Sequence, residues 1–150
     1  MKRKKTNLQV TKNFNLMDLE KTDIIPDKLK SNCEELLENL QTLRDIIEEP
    51  IEIISGYRTK ESNENVGGVV KSQHLYGKAA DIVCNKYNSL QIYLIILKLI
   101  TVGKMKKGGL GLYDKFVHYD IRGNYVSWNY SKYNKNKIKK ITNLILQNKI

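Results

Sequence analysis

The stretch that decides how this chain folds is SQHLYGKAAD, residues 72–81. It places His74 on a polar connection and Asp81 on the strand-like run that follows. At this spacing the two side chains would not share one face of a helix cleanly. Gly77 frees the backbone between them, and the small Ala79 and Ala80 allow a close approach. The stretch therefore predicts a turn from which a loop histidine and a strand aspartate can converge.

The second histidine of the chain lies in FVHYD, residues 116–120. Strand alternation puts Phe116, His118 and Asp120 on one face, so His118 and Asp120 point into the same space. Two imidazoles and a carboxylate form a three-ligand set for catalytic zinc that leaves the fourth position open for water. Taken alone, a strand histidine is usually an ordinary core or surface group, so the metal prediction depends on the joint pattern.

The composition is that of a single globular domain with a strong positive charge. The chain has 150 residues, a hydrophobic fraction of 41% and a net charge of +10. Such a charge indicates an anionic partner, such as nucleic acid, a membrane surface or an acidic wall polymer, or else a residue bias toward Lys and Asn. No recognised nucleic-acid-binding motif accompanies the charge, so we expect no specific nucleic-acid partner. Two cysteines are too few for a disulfide framework.

The N-terminal residues resemble the start of a signal peptide only in charge. The basic run at residues 2–5 is followed by polar residues rather than an apolar segment. The most apolar stretch, residues 91–102, contains Lys98 and is too short to span a bilayer. The sequence therefore predicts synthesis in a cytoplasm, with no membrane span, and a wall substrate would be reached after phage-type release or from a virion.

The hydrophobic pattern predicts an α+β fold, with a small, mainly antiparallel sheet flanked by helices. After Pro26, apolar residues recur with helical spacing for about five turns, and Pro50 closes this helix. Ser89 is the expected cap of a second, nearly apolar helix. We expect strands at residues 51–55, 79–84, 110–113, 116–121 and 125–128, and an amphipathic helix in the basic tail. The expected divisions are a basic arm at 1–12, the main domain at 13–130, and a C-terminal helix at 131–150, packed on the domain or appended to it.

Several further segments accompany the two histidine motifs. With them, the chain resembles the zinc D-Ala-D-Ala carboxypeptidase family, part of a wider group with D-Ala-D-Ala dipeptidases, phage peptidoglycan endopeptidases and the hedgehog signalling domain. The resemblance covers roughly residues 13–128. It is carried by SGYRT (55–59), NVGG (65–68), SQHLYGKAAD (72–81), GLGLY (109–113) and FVHYD (116–120).

This resemblance implies a set of site residues. It implies zinc bound by His74, Asp81 and His118. It implies that Arg58 faces the cleft and holds the oxyanion or a substrate carboxylate, since its planar, permanently charged fork suits both roles. Ser72, with Gln73 beside it, would bind the substrate.

The chain departs from many family members at the general base. They carry Glu or Asp three residues before the last histidine, where this chain has Lys115. Lysine is a poor base unless its pKa is strongly depressed. Asp120 is the first substitute and Asp114 the second, but Asp120 could equally orient a ligand histidine.

Together these features predict a zinc metallopeptidase that cuts a peptide bond in peptidoglycan stem peptides or cross-links. A phage lysis enzyme or a virion-associated wall hydrolase is the expected setting, with phage virion proteins as partners in the second case. The lysine-rich tail would attract an anionic wall polymer, or it is simply a packed helix with a solvated face. The alternative function is a non-catalytic structural or binding module of a phage virion that keeps the peptidase fold.

Overall fold

The computed structural model describes residues 5–148, which form a single sheet with the two longest helices packed on one face. Three short 3₁₀ turns occupy Leu16–Leu19, Asp27–Leu29 and Gln73–Tyr76. The helices are α1 (Lys30–Ile47), α2 (Lys60–Asn65), α3 (Ser89–Thr101) and α4 (Lys135–Leu146). The strands are β1 (Glu52–Ser55), β2 (Ala79–Val83), β3 (Gly109–Leu112), β4 (Val117–Asp120) and β5 (Val126–Asn129).

The strand order is β1-β2-β4-β3-β5, and the sheet is mixed. The α+β class agrees with the prediction, but a mainly antiparallel sheet was expected and the pairing of β3 with β5 is parallel. The reason is the position of β4, which is antiparallel to β2 on one side and to β3 on the other. Strand β5 therefore cannot pair with β4 and adds to the outer edge of β3. The short connection after β4 reverses the chain, so β5 runs antiparallel to β4 and hence parallel to β3.

Alternation along the strands separates the core from the face that carries polar side chains. Leu110, Leu112, Val117 and Tyr119 are fully buried and face the layer of α1 and α3. The intervening positions of β2 and β4 point to the opposite face of the sheet. Helix α1 completes the core with an apolar stripe of Cys33, Leu36, Leu37, Leu40, Leu43 and Ile47.

The ends of the two long helices are set by local hydrogen bonds. Helix α1 ends at Ile47, where Glu48 adopts a left-handed conformation (φ 56°) and donates its N–H to the Arg44 carbonyl. Helix α3 is capped by Asn88, not by Ser89 as expected, and Asn88 forms a capping box with Gln91. The Ser89 hydroxyl instead donates to the carbonyl oxygens of residues 113 and 114.

Both terminal segments contact the main body of the domain within the described residues. Thr6 donates its N–H to the buried Glu20 carboxylate at 2.6 Å, and Gln9 forms a bridge with Asn15. Helix α4 packs on α3. Residues 1–4 of the expected basic arm and the last two residues lie outside the described range. Between residues 5 and 148, no helix is both long and apolar enough to cross a membrane.

Candidate metal centre

Strand pairing brings the first two site residues together. Asp81 on β2 lies directly opposite His118 on β4, so their side chains share one face of the sheet. His118 Nδ1 lies 3.2 Å from Asp81 Oδ1, and both residues are buried. Gly111 on β3 is the other neighbour of His118. Its missing side chain leaves room for Trp128, because a Cβ there would meet the indole at 2.4 Å.

The third residue, His74, comes from the 3₁₀ turn that precedes β2. The Ser72 hydroxyl accepts a hydrogen bond from the His74 N–H and caps the turn. Gly77 ends the turn with φ 66°, and a Cβ at this position would lie 2.7 Å from Cys33 Sγ. The turn directs His74 Nε2 to within 3.4 Å of Asp81 Oδ1. The predicted convergence of a loop histidine with a strand aspartate is therefore present in the fold.

These three side chains fit a metal ion. One ligand atom from each lies within 4.8 Å of the other two, and all three residues are buried. Their hydrogen bonds select suitable tautomers. His74 Nδ1 lies 2.7 Å from the Gly56 carbonyl, which can only accept, so Nδ1 carries the proton and Nε2 keeps its lone pair. His118 Nε2 lies 2.7 Å from Asp120 Oδ2, which leaves Nδ1 for a metal.

Asp120, the hydrogen-bond partner of His118, is surrounded by further hydrogen-bond donors. It accepts hydrogen bonds from the Gly109 N–H and the Arg122 N–H, at 2.8 and 3.2 Å. Arg122 also donates through Nε and Nη2, at 2.9 and 2.8 Å, in a two-point contact. Burial opposes ionisation of Asp120, but the hydrogen bonds from Arg122, His118 and Gly109 outweigh it and hold its pKa below the ordinary value. The carboxylate is fully buried, and its two oxygens are occupied by these donors.

The electrostatics of the centre favour an ionised Asp81. Burial alone would raise its pKa, but the adjacent His118 and His74 rings lower it well below its usual range. For His118, burial disfavours the charged form, while Asp120 and Asp81 more than compensate and raise its pKa. An anionic carboxylate between two imidazoles matches the ligand chemistry that zinc prefers.

Arg58 lies beside the cluster, as expected from the sequence. Its Nη2 is 3.5 Å from Asp81 Oδ2 and donates to Ser55 Oγ at 2.9 Å. Its Nη1 donates to Asn63 Oδ1 at 3.3 Å. Its backbone N–H bonds the His74 carbonyl, which ties the two residues into one unit. These contacts fix the guanidinium at the wall of the cleft.

The cluster opens into a cleft of about 650 Å³. Ser72 and Gln73 line it, as do Arg58 and the three clustered residues. The remaining residues of the cleft wall were not predicted from the sequence. Two of them had a signal in the sequence. Arg122 follows Asp120 by two residues at the end of β4, and the alternation of β5 indicated Trp128. The additional lining residues include Lys71, Tyr113, Phe116, Arg122, Trp128 and Tyr130.

The structure does not bring Asp114 or Lys115 into this cleft. Both are exposed and line a separate pocket with Cys84 and Ser89. Asp114 Oδ1 accepts a hydrogen bond from the Lys132 N–H at 2.5 Å. Lys115, the position at which the sequence resemblance implied a base, therefore does not line the cleft of the histidine cluster.

A buried His–Asp–His cluster at an open cleft is an arrangement that can hold a catalytic metal ion. A family model described as Peptidase M15 matches residues 6–120, which is more than half of the chain. The chain therefore belongs to the M15 peptidase family, the zinc D-Ala-D-Ala carboxypeptidase-like peptidases. No curated protein matches it.

Proposed function

We propose that this protein is a zinc peptidase that hydrolyses a peptide bond in peptidoglycan stem peptides or cross-links, as a D-Ala-D-Ala carboxypeptidase or an endopeptidase. One observation carries the proposal: the buried His74–Asp81–His118 cluster opens directly into the cleft. Membership of the M15 family supports the same chemistry. In this proposal zinc is held by His74 Nε2, an oxygen of Asp81 and His118 Nδ1.

The protein supplies a preorganised set of ligands. When bound, zinc acidifies a coordinated water and polarises a carbonyl. The chain fixes the ligand atoms beforehand, because Gly56 holds the His74 ring and Asp120 holds the His118 ring. The near-complete burial of all three residues limits competing water around the ligand atoms.

Arg58, Ser72 and Gln73 are the proposed substrate contacts. Arg58 is close to Asp81 and retains donors that can bind a developing oxyanion or a substrate carboxylate. Ser72 Oγ accepts from the His74 N–H, so its own proton can be donated to a substrate carbonyl. Gln73 lines the cleft beside them.

Asp120 acts in this proposal as a positioning residue for His118. Its oxygens already accept bonds from His118, Arg122 and Gly109, and it does not line the cleft. A general base must reach the attacking water directly or through one further water. Its contacts support the orienting role that the sequence left open. Asp114 lines another pocket and not the cleft, which argues against it as the base.

The biological setting is a finer part of the proposal. We infer a phage lysis enzyme or virion-associated wall hydrolase, which acts at the cell wall and uses its basic C-terminal helix to approach an anionic wall polymer. The residue usage, rich in Lys, Asn, Ile and Tyr, and the net charge of +10 support this setting. Addition of the protein to permeabilised cells of low-GC bacteria, with turbidity as the readout, tests it at low and high salt.

The activity itself is tested on purified peptidoglycan. We expect new amino groups to be released, and their release to stop when His118 is replaced by Ala in a protein whose circular dichroism is unchanged. Mass spectrometry of the products separates the two bond types, since a carboxypeptidase releases free D-alanine and an endopeptidase releases larger fragments. Zinc binding without any cleavage would instead indicate the non-catalytic structural or binding module of a phage virion.

A further inference from the structure

A second groove lies next to the cleft, between β5, α3 and α4. It has a volume of about 350 Å³, at the lower end of the range for small-ligand sites. Its base is formed by Tyr93, Tyr125 and Ile138, and its rim by polar residues of β5 and α4. Ser127 and Trp128 line both this groove and the cleft of the histidine cluster. A ligand that extends beyond the cleft at β5 would therefore enter the groove.

One buried hydrogen-bond donor of the groove has no partner. Within residues 5–148, the buried Asn129 Nδ2 lacks a hydrogen bond, and Asn129 lines this groove. The oxygen of the same amide accepts from the Ser131 N–H and hydroxyl, and the Tyr125 hydroxyl beside it interacts with Ser127 and Tyr93. Buried polar groups are nearly always paired in native proteins, so the Asn129 amide nitrogen indicates a partner with an oxygen acceptor.

The charge of the groove also favours a ligand with oxygen acceptors. Lys135 and Lys139 stand one helical turn apart on α4 at its rim, with Thr142 and Asn143 beside them. The residues that line the groove include no Asp or Glu. Donor-rich walls beside an indole suit a sugar, which offers hydroxyl and amide oxygens together with an apolar ring face.

We propose that this groove is a subsite for the amino-sugar unit that carries the stem peptide, while the peptide itself occupies the cleft. This inference rests on the proposed peptidase function and extends it, because it makes the glycan part of the recognised substrate. Trp128 stands between the two sites, with its ring 5.0 Å from that of His118. The geometry thus links sugar binding to the placement of the peptide.

The test compares two substrates on the zinc-loaded protein. One is a free stem peptide, and the other is the same peptide attached to N-acetylmuramic acid. We expect KM to be roughly tenfold lower for the sugar-bearing substrate, the effect of a few charge-assisted hydrogen bonds. Replacing Lys135 and Lys139 together by Ala abolishes this advantage and leaves kcat on the free peptide unchanged. The matched control is Lys137→Ala with Lys140→Ala, which removes the same charge from α4 outside the groove.

Three results would overturn the subsite. They are equal KM values for the two substrates in the unaltered protein, an equal loss in both double variants, and competition by a glycerol-phosphate polymer but not by the free sugar. Cleavage of neither substrate would count against the peptidase function instead. Fluorescence of Trp128, the only tryptophan in the chain, then decides the subsite. The subsite is supported if N-acetylmuramyl peptide changes the Trp128 fluorescence and this change is lost when Lys135 and Lys139 are replaced. No change in fluorescence refutes the subsite.

Discussion

His118 and Asp120 form a hydrogen bond of 2.7 Å along one face of β4, with the imidazole Nε2 against Asp120 Oδ2. The other ring nitrogen, Nδ1, faces Asp81 across the strand pair. A single strand thus carries both a proposed metal ligand and the group that sets its tautomer. Arg122 donates a hydrogen bond to Asp120, and its guanidinium lies over the Trp128 ring. The contacts from His118 through Asp120 and Arg122 therefore extend to the wall of the cleft.

Replacing Asp120 by Asn tests the orienting role. The amide keeps the size of the side chain but loses the charge that holds the His118 Nε2 proton, so we expect zinc affinity to fall by about 10- to 100-fold. Competition with a chromophoric chelator measures the affinity. Asp114→Asn is the control, because Asp114 lies in a separate pocket. Unchanged zinc affinity with activity abolished would instead identify Asp120 as the general base.

Arg58 is expected to act on the substrate and not on the metal. Arg58→Gln should lower kcat/KM by roughly 10²- to 10³-fold, the usual loss for one oxyanion donor, while the zinc content stays at that of the unaltered protein. Arg58→Lys should recover only part of the activity, because lysine lacks the planar fork. Normal cleavage by Arg58→Gln would contradict the assignment.

Lys115 should be replaceable without consequence for catalysis. It is exposed and lies outside the cleft, so Lys115→Ala is expected to retain the kcat/KM of the unaltered protein. Lys115→Glu places an acidic residue at this position, yet we expect no gain, since the side chain lies outside the cleft. Peptidoglycan digestion rates for the two variants provide the measurement. A large gain with Glu would show that this position does enter the active site.

The thiol of Cys33 makes stability depend on pH in the alkaline range. Burial raises its pKa from 9.0 to about 12. The unfolded chain therefore loses this proton first, and stability is retained below pH 9 and falls as the pH rises toward 12. Denaturant titrations at several pH values should show a slope that is steeper, by up to about 1.4 kcal/mol per pH unit, than in Cys33→Ala. Cys84→Ala should keep the steep slope, and identical slopes in all three proteins would refute the effect.

The elements best predicted from the sequence were those with strong local signals. The apolar stripe of α1 and the alternation of β4 each fix which side chains face the core, and the motif around His74 carries its own turn at Gly77. Pairing across the sheet is not a local property. The parallel placement of β5 depends on both sides of β4 being occupied, which periodicity within one strand does not encode.

The walls of the site were harder to predict for the same reason. Trp128 reaches the cleft because β5 pairs with β3, which places Trp128 opposite Gly111. Since Gly111 has no side chain, the indole can occupy the space beside it. The role of Asp120 could not be decided either, since alternation gave its face but not its partners. The bonds from Gly109 and Arg122 that occupy the carboxylate come from the tertiary structure.

The most direct test of the central claim is the metal content of the purified protein. We predict about one zinc per chain, lost in His118→Ala, together with digestion of peptidoglycan that stops on chelation and returns with added zinc. The variant must keep the circular dichroism of the unaltered protein. A folded protein that binds no zinc, or whose digestion of peptidoglycan survives both chelation and the loss of His118, would contradict the account.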